Sequence, residues 1–281
     1  EVFMHPVVNQ LIQLEELILI RDEQKLMSGE AHLENLNAAI KAMTGKLPRD
    51  VREHAEKLGN KQQSAIVPIA VQVCSGCGMS LPISLVQAVR LAREVHNCPN
   101  CARMLYFVES AAKRIANKRR RTGRQKGGIA RFSSPSLMIP KLTSTTVEEV
   151  IEEMASKMEA EGFVEGSDKL VEAALQREAI VSTAVGHGLA VPHVRGVEGG
   201  GLALAVGLSS KGIRWDGDQE ELTRIVVFIV IPTAASAFYL KLLAGLAETF
   251  SDTEARSAFL AEKDADGMWK SLAKLTRKTV K

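Results

Sequence analysis

The first sixty residues carry apolar side chains at alternating steps of three and four, which is the spacing of one narrow stripe along an α-helix. The positions are Val7, Leu11, Leu14 and Ile18, and again Leu26, Leu33, Leu36, Ile40 and Met43, with one step of seven from Leu26 to Leu33. The pattern breaks before Pro48, which suits the first turn of a second helix ending near Gly59. Two such stripes bury each other most simply as an antiparallel helical hairpin of the coiled-coil type, although a packing element without chemistry fits the same pattern.

The next segment has a short apolar run at each end. Residues 66–73 and 104–108 are apolar enough to predict strands, and residues 83–95 place Leu85 and Val89 on one face of a short helix. These elements predict a small β-rich unit.

Residues 141–281 alternate helical patterns with fully apolar runs. Thr145 or Thr146 can cap the first helix, because Glu148 and Glu149 then occupy its first turn. The pattern predicts helices at 147–154, 168–176 and 239–250 and buried strands at 202–208 and 225–231. This alternation favours an α/β domain with a mixed sheet flanked by helices.

Residues 111–140 separate these regions and have the composition of a basic flexible linker. Eight lysines and arginines fall within residues 113–126 without an acidic residue, and glycines and serines follow. Such a segment lacks the apolar surface that offsets ordering entropy, although residues 110–116 also fit a helix. The predicted fold class is α+β multidomain, with a hairpin at 1–65, a cysteine-containing unit at 66–110, the linker at 111–140 and an α/β domain at 141–281.

Composition narrows the functional classes. The chain has 281 residues, 46% of them hydrophobic and only 4% aromatic, which predicts about two aliphatic cores. The net charge of +3 does not by itself indicate a nucleic-acid-binding protein. No run is long and apolar enough for a membrane span, and no signal peptide is evident, so we expect a cytoplasmic location.

The basic run at residues 113–126 has two interpretations. Its lysines and arginines can contact nucleic-acid phosphates without sequence preference, or they can form a solvated tether. No aromatic side chains are interleaved for base stacking.

All four cysteines fall into two Cys-x-x-Cys pairs, which are Cys74 with Cys77 and Cys98 with Cys101. A two-residue spacing turns both sulfurs of a pair toward one tetrahedral ion, and Gly78 permits the tight turn. Four thiolates leave no open coordination position, so the spacing predicts a structural Zn²⁺ site. A redox pair or plain buried cysteines are the alternatives.

The same segment resembles a zinc-ribbon family in which a long helical hairpin precedes the ribbon. The resemblance covers residues 4–110 and rests on Cys74-Ser75-Gly76-Cys77-Gly78-Met79-Ser80-Leu81-Pro82 and Cys98-Pro99-Asn100-Cys101-Ala102-Arg103-Met104-Leu105-Tyr106. The family often has glycine in place of Ala102. The resemblance implies a module that contacts another protein, of unknown identity, or nucleic acid.

The run from Arg177 to Arg195 contains the strongest candidate for chemistry, His193. Pro192 restricts the chain before the ring, and the two arginines can offer forked donors to a phosphoryl group. Neutral imidazole is well populated near pH 7 and is a nucleophile. A histidine in an apolar run is also commonly a core or loop residue with no chemistry.

Residues 141–281 resemble the IIA domain of the fructose/mannitol class of the phosphoenolpyruvate-dependent sugar phosphotransferase system, which includes the nitrogen-regulatory IIA proteins. The matching motifs are Thr146-Val147-Glu148-Glu149-Val150-Ile151, Arg177-Glu178, Ser182-Thr183-Ala184-Val185-Gly186, Gly188-Leu189-Ala190-Val191-Pro192-His193 and Gly212-Ile213-Arg214-Trp215-Asp216. The resemblance implies that His193 accepts a phosphoryl group from the carrier protein HPr. It further implies that Arg177 stabilises charge and that Thr183 and Gly188 shape the phosphate pocket, with Arg195 as a weaker candidate.

Two positions depart from this family pattern. Tyr239 stands where many members have a second active-site histidine, and a phenol cannot become a cation near neutral pH. His187 stands where asparagine or another polar residue is frequent, and it can compensate in part. No sugar-specific IIB or IIC pattern is present in the sequence.

We therefore expect a regulatory phosphohistidine carrier, a phosphotransferase component if active, more than a sugar transporter. The alternatives are a non-enzymatic adaptor with a degenerate IIA domain and a zinc-ribbon protein that binds nucleic acid.

Overall fold

The computed structural model describes residues 5–27, 33–59, 64–70, 72–107, 113–114, 127–197, 202–216, 221–232 and 239–280. The chain divides into two units, one of residues 1–25 and 29–109 and the other of residues 26–28 and 110–281. Among the described residues no helix combines the length and the hydropathy needed to cross a membrane.

The first unit begins with helices, as the apolar stripe predicts. These are α1 (Pro6–Met27), α2 (Leu33–Lys46) and α3 (Arg49–Gly59). Leu11 and Leu14 of α1 share a buried cluster with Leu47 and with Leu58 of α3. Residues 28–32, through which the predicted first helix runs, lie outside the described residues.

A small sheet follows these helices. Its elements are β1 (Ile66–Ala70), β2 (Val73–Cys74), α4 (Ile83–Leu91), β3 (His96–Asn97) and β4 (Met104–Phe107). The strand order is β2-β1-β4-β3, in which β1 and β4 run parallel and both edge pairs are antiparallel. This order brings the turn after β2 and the turn before β4, which carry the two cysteine pairs, to neighbouring positions.

The second unit contains a six-stranded mixed sheet with helices packed against it. After β5 (Lys113–Arg114) its elements are β6 (Met138–Ile139), α5 (Val147–Ala160), β7 (Val164–Glu165), α6 (Ser167–Glu178), β8 (Ala184–Gly186), β9 (Leu189–Ala190), β10 (His193–Val197), β11 (Ala203–Ile213), β12 (Thr223–Pro232), α7 (Tyr239–Ser251), α8 (Thr253–Leu260) and α9 (Ala265–Leu275). The order is β6-β11-β12-β9-β8, and β10 also pairs with β12. The α+β multidomain class is confirmed.

The long apolar strands form the centre of this sheet. The pairing of β11 with β12 is antiparallel, and so is that of β8 with β9. Strand β6 pairs in parallel with β11, and β9 and β10 pair in parallel with β12. Residues 225–231 are at most 1% exposed, which explains why their sequence is apolar throughout. At the start of α5, Thr146 forms the predicted cap as one half of a capping box with Glu149.

The prediction of a flexible linker over residues 111–140 is wrong for its last part. Residues 127–140 form two short 3-10 turns and strand β6, which pairs with β11. Ile129, Leu137 and Met138 are at most 3% exposed, so these apolar side chains supply the burial that the composition of the segment obscures.

The basic part of this segment is only partly described. Lys113 and Arg114 form β5, which pairs with β7, so at these two residues the alternative of a helix is wrong. Residues 115–126, which carry the rest of the basic run, lie outside the described residues.

Candidate functional site

His193 is the first residue of β10 and lies opposite Ile229 of the central strand β12. Its side chain is 1% exposed. The ring atom Nδ1 lies 3.0 Å from the carbonyl oxygen of Val191. Because a carbonyl can only accept, Nδ1 is the donor in this contact, and in the neutral ring the lone pair is therefore on Nε2. Pro192 lies between the two residues and restricts the backbone that sets this contact.

Arg177 lies in the last turn of α6, the helix that packs against β10. The guanidinium donates from Nη1 to the carbonyl oxygen of Val181 at 2.8 Å, and the residue is 7% exposed. An arginine guanidinium carries a positive charge and five N–H donors in a planar fork. The last turn of α6 therefore carries a positive charge, and this helix packs against β10.

Tyr239 and Arg195 lie close to His193 in space. Tyr239 begins α7, is fully buried and has its ring centroid 6.1 Å from that of His193. The guanidinium carbon of Arg195 lies 5.9 Å from the centroid of the Tyr239 ring. The phenol ring thus lies next to both predicted site residues, and the Arg195 side chain is only partly exposed.

Thr183 is buried, but its hydroxyl is bonded to a residue that the sequence analysis did not single out. The Thr183 backbone N–H donates to Glu178 Oε1 at 2.8 Å, and the hydroxyl donates to Oε2 at 2.5 Å. The indole N–H of Trp215 also donates to Glu178 Oε1, at 3.0 Å. Only the matching Arg177-Glu178 motif hinted at this position, since a glutamate at a helix end is usually solvated.

Gly188 is close to His193 in sequence and distant from it in space. Its carbonyl accepts from the backbone N–H groups of Arg224 and Ile225, at the start of β12. Ile225 precedes Ile229, the residue opposite His193, by four positions, which is about 13 Å along a strand. Gly188 has φ +69° and therefore serves the turn between β8 and β9.

His187 lies in the same turn, with φ +55° and an exposed side chain. It lines a surface cavity with Gly188, Glu221, Leu222, Arg224, Ile225, Arg256 and Leu260. Neither Tyr239 nor Arg195, the two side chains described above near the His193 ring, lines this cavity. The geometry therefore gives no support to compensation by His187 for a missing second histidine.

The four cysteine sulfurs lie within 4.8 Å of one another. The Sγ atoms of Cys74 and Cys101 are 3.7 Å apart, and those of Cys77 and Cys98 are also 3.7 Å apart. A tetrahedral zinc ion with Zn–S bonds of about 2.3 Å requires sulfur–sulfur edges of about 3.8 Å. The cluster therefore has the dimensions of a tetrathiolate zinc site, and the ligand set is the one that Zn²⁺ prefers.

Hydrogen-bond donors surround these sulfurs. The side chain of Asn100 and the backbone of Met79 lower the pKa of the exposed Cys77 thiol to about 6. Burial raises the pKa of Cys74 to about 12, although the backbone of Gly76 and Cys77 donates to its sulfur. The turns that aim these donors need left-handed backbone at Gly78 (φ +75°), as predicted, and at Ala102 (φ +60°).

Arg103 ties the two cysteine turns together, and the sequence analysis did not single it out. Its Nη1 donates to the Gly76 carbonyl oxygen at 2.6 Å. A Cβ atom at Gly76 would lie 2.9 Å from Arg103 Cδ, so the arginine packs where only glycine leaves room. The residue before Arg103 has a contact with the preceding helices, since His54 Nε2 of α3 lies 2.7 Å from the Ala102 carbonyl oxygen.

Comparison with known proteins finds family models for two segments of the chain. The family model "Phosphoenolpyruvate-dependent sugar phosphotransferase system, EIIA 2" matches residues 132–275, and the model "C4-type zinc ribbon domain" matches residues 73–105. These matches confirm the two resemblances carried by the sequence motifs.

Individual relatives match the C-terminal half. The chain is 30% identical over 130 residues to the PTS system 2-O-alpha-mannosyl-D-glycerate-specific EIIABC component of Escherichia coli (strain K12), covering 46% of this chain but only 20% of that protein. It is 28% identical over 148 residues to a nitrogen regulatory protein of Bradyrhizobium diazoefficiens, covering 52% of this chain and 94% of the relative.

Among solved structures, the nitrogen regulatory protein IIA-Ntr from Neisseria meningitidis matches with 21% identity and a TM-score of 0.47, over 51% of this chain and 98% of that one.

The EIIA 2 model spans just over half of the 281 residues. The chain therefore belongs to the EIIA 2 family of the phosphoenolpyruvate-dependent sugar phosphotransferase system.

Proposed function

We propose that the protein is a phosphohistidine carrier in which Nε2 of His193 accepts a phosphoryl group from an HPr-like phosphocarrier. The observation that carries this proposal is the 3.0 Å contact between His193 Nδ1 and the Val191 carbonyl oxygen. In the neutral ring this contact places the proton on Nδ1 and the lone pair on Nε2. A nitrogen with a lone pair is the nucleophile that phosphoryl transfer requires.

The transfer step balances with groups present in the site. Nε2 attacks phosphorus as the phosphorus–nitrogen bond of the donor histidine breaks, and the electron pair of that bond returns to the donor ring. The His193 ring gains positive charge as the new bond forms, and its Nδ1–H donates more strongly to Val191. We assign to Arg177 the stabilisation of charge on the transferring phosphoryl group. Since the His193 side chain is 1% exposed, neighbouring side chains must move aside for the donor to reach it.

We further propose that Cys74, Cys77, Cys98 and Cys101 hold one structural Zn²⁺. Four thiolates at the observed spacings close the coordination sphere, so the ion supplies rigidity and no reactive position. The ion would fix the two cysteine turns, and the helices before the ribbon and the ribbon itself would then form a surface for a regulated partner protein.

A regulatory role accounts better for this combination than sugar transport does. An EIIA 2 domain is joined to a four-cysteine module, and Tyr239 stands where many members of the family have a second active-site histidine. One match covers 94% of a nitrogen regulatory protein, which supports the same assignment. In this account the phosphorylation state of His193 alters what the N-terminal half binds.

The test is incubation with phosphoenolpyruvate, enzyme I and HPr. We expect an acid-labile, base-stable phosphate on the wild-type protein and none on the His193→Ala variant. His187→Ala is the matched control, because His187 is an exposed histidine at the β8–β9 turn, and it should label like the wild type. Absence of labelling with a cognate HPr, or equal labelling of the His193→Ala variant, would contradict the proposal.

A second candidate function is a non-enzymatic adaptor, and it is favoured by Tyr239, which is fully buried beside His193. In that case the IIA domain binds partners without a phosphate, and His193→Ala leaves partner binding unchanged. A difference in partner binding between the phosphorylated and unphosphorylated protein would exclude the adaptor.

Nucleic-acid contact through the basic run at residues 113–126 is a third candidate function, and binding across a salt series would test it.

A further inference from the structure

The carboxylate of Glu178 is the centre of a hydrogen-bond network beside the phosphoacceptor site. It receives three donors, which are the backbone N–H of Thr183, the hydroxyl of Thr183 and the indole N–H of Trp215. Thr183 is 2% exposed and Trp215 is 7% exposed, so both residues that supply these donors are shielded from water. Glu178 therefore holds the chain just before β8 against the end of α6.

Two consecutive residues of α6 hold that same short segment. Arg177 donates to the Val181 carbonyl oxygen at 2.8 Å, and Glu178 accepts from Thr183, two residues further along. Movement of the segment would therefore displace the guanidinium that is assigned to the phosphoryl group.

Thr183 also connects this segment to the histidine. The Thr183 carbonyl oxygen accepts from the Val191 backbone N–H at 3.0 Å. The Val191 carbonyl oxygen is in turn the partner of His193 Nδ1 at 3.0 Å. The backbone group that sets the tautomer of His193 is thus held in place by Thr183, which is held by Glu178.

We propose that Glu178 is a positioning residue for phosphoryl transfer, acting through Thr183 and Val191 to keep the proton of His193 on Nδ1 and through the same segment to hold Arg177. The inference rests on the proposed phosphoacceptor role of His193. In this proposal Glu178 acts through these residues and exchanges no proton with the ring.

The first measurement is the tautomer of His193, read from long-range ¹H–¹⁵N correlations of histidine-labelled protein in the absence of any phosphoryl donor. The His193→Gln variant assigns the resonances. We expect the wild type to carry its proton on Nδ1 and the Glu178→Ala variant to show a mixture of both tautomers. The rate of phosphoryl acceptance from HPr should fall in parallel by about 10- to 100-fold, as expected when a misplaced group loses its alignment.

Conservative and control variants separate positioning from general destabilisation. Glu178→Gln keeps an acceptor oxygen of the same reach and should retain the Nδ1 tautomer and a rate within a few-fold of the wild type. Glu159 makes a closely similar network, accepting from the backbone N–H groups of Gly166 and Ser167 and from the Ser167 hydroxyl. It does so at the opposite end of α6, so Glu159→Ala should lower stability and leave the tautomer unchanged.

The outcomes decide the proposal even where one variant fails. If Glu178→Ala does not fold, Thr183→Val removes only the hydroxyl bond and should shift the tautomer part of the way. A folded Glu178→Ala protein with the wild-type tautomer and rate would overturn the proposal, as would a Thr183→Val protein with both unchanged. Failure of the wild type to accept phosphate would sink the proposed function instead, and the tautomer measurement would still test the role of Glu178.

Discussion

The imidazole Nδ1 of His193 and the carbonyl oxygen of Val191, two residues earlier, are 3.0 Å apart. A strand that begins at a proline-preceded histidine cannot easily rotate this carbonyl away, because the ring of Pro192 fixes its own φ angle. The ring nitrogen that faces the backbone is therefore the donor, and the proposed phosphoryl acceptance is assigned to Nε2.

We assign to Arg177 the stabilisation of charge on the transferring phosphoryl group, and a change of its head group tests that role. Arg177→Lys keeps a positive charge but loses the planar fork of donors, so we expect the rate of phosphoryl acceptance to fall by about 100-fold. Arg256→Lys is the matched control, since Arg256 also donates to backbone carbonyls, at Phe250 and Ser251. Quench-flow labelling with phosphorylated HPr measures both rates, and equal rates for the two variants would remove Arg177 from the mechanism.

Zinc should be needed for the first unit and not for the second, because all four cysteines lie in the first unit. Elemental analysis should find one zinc per chain, and Cys98→Ser or a strong chelator should unfold the ribbon. The ribbon should lose a large part of its folding free energy, since structural zinc in small domains contributes about 10–16 kcal/mol of apparent binding free energy. Amide NMR spectra report the two units separately.

The control for this prediction is Met79→Ser, which changes a 38% exposed side chain beside the same turn. It should keep its zinc. A ribbon that stays folded after zinc removal, or one that binds no zinc, would contradict the structural role of the metal.

The pH dependence of stability should include a contribution from Glu159. The Ser167 hydroxyl, followed by the backbone N–H groups of Gly166 and Ser167, holds the pKa of its carboxyl below the ordinary value of 4.5. A carboxylate with a lowered pKa stabilises the folded state fully above its unfolded pKa, and this contribution is lost as pH falls through the folded pKa.

Glu159→Gln should therefore lower the free energy of unfolding at pH 7, and its difference from the wild type should disappear as the solution is acidified below pH 4.5. Urea denaturation of both proteins between neutral and acidic pH measures that difference. A difference that stays constant across this range would show that the hydrogen bonds to Glu159 do not depend on its charge.

Periodicity predicted the longer elements, because a helix or a strand buried on both faces leaves a pattern over many residues. Residues 225–231 are apolar at every position and form the central strand β12. Strands such as β9 (Leu189–Ala190) and the 3-10 turns at residues 128–137 contain too few residues to show any period. Their formation depends on contacts with distant parts of the chain, and the apolar residues Ile129 and Leu137 were hidden among glycines and serines.

For the site, too, the sequence carries information about residues that are close together in the chain and little about contacts between distant residues. The motif around His193 predicts that the histidine and Arg177 are site residues, because both are local features of one run. It also placed Gly188 near the histidine, although the β8–β9 turn carries this glycine toward the start of β12. Glu178 was missed because its partner Trp215 lies 37 residues further along the chain, where spacing carries no signal.

The identity of the phosphorylated nitrogen tests the central claim most directly. Protein labelled with ¹⁵N-histidine and phosphorylated through HPr would be examined by ³¹P–¹⁵N correlation NMR. A phosphorus atom bonded to Nε2 of His193, with the proton retained on Nδ1, is the result that the Val191 contact predicts. A phosphoryl group on Nδ1 of His193, or on any other residue, would contradict the account.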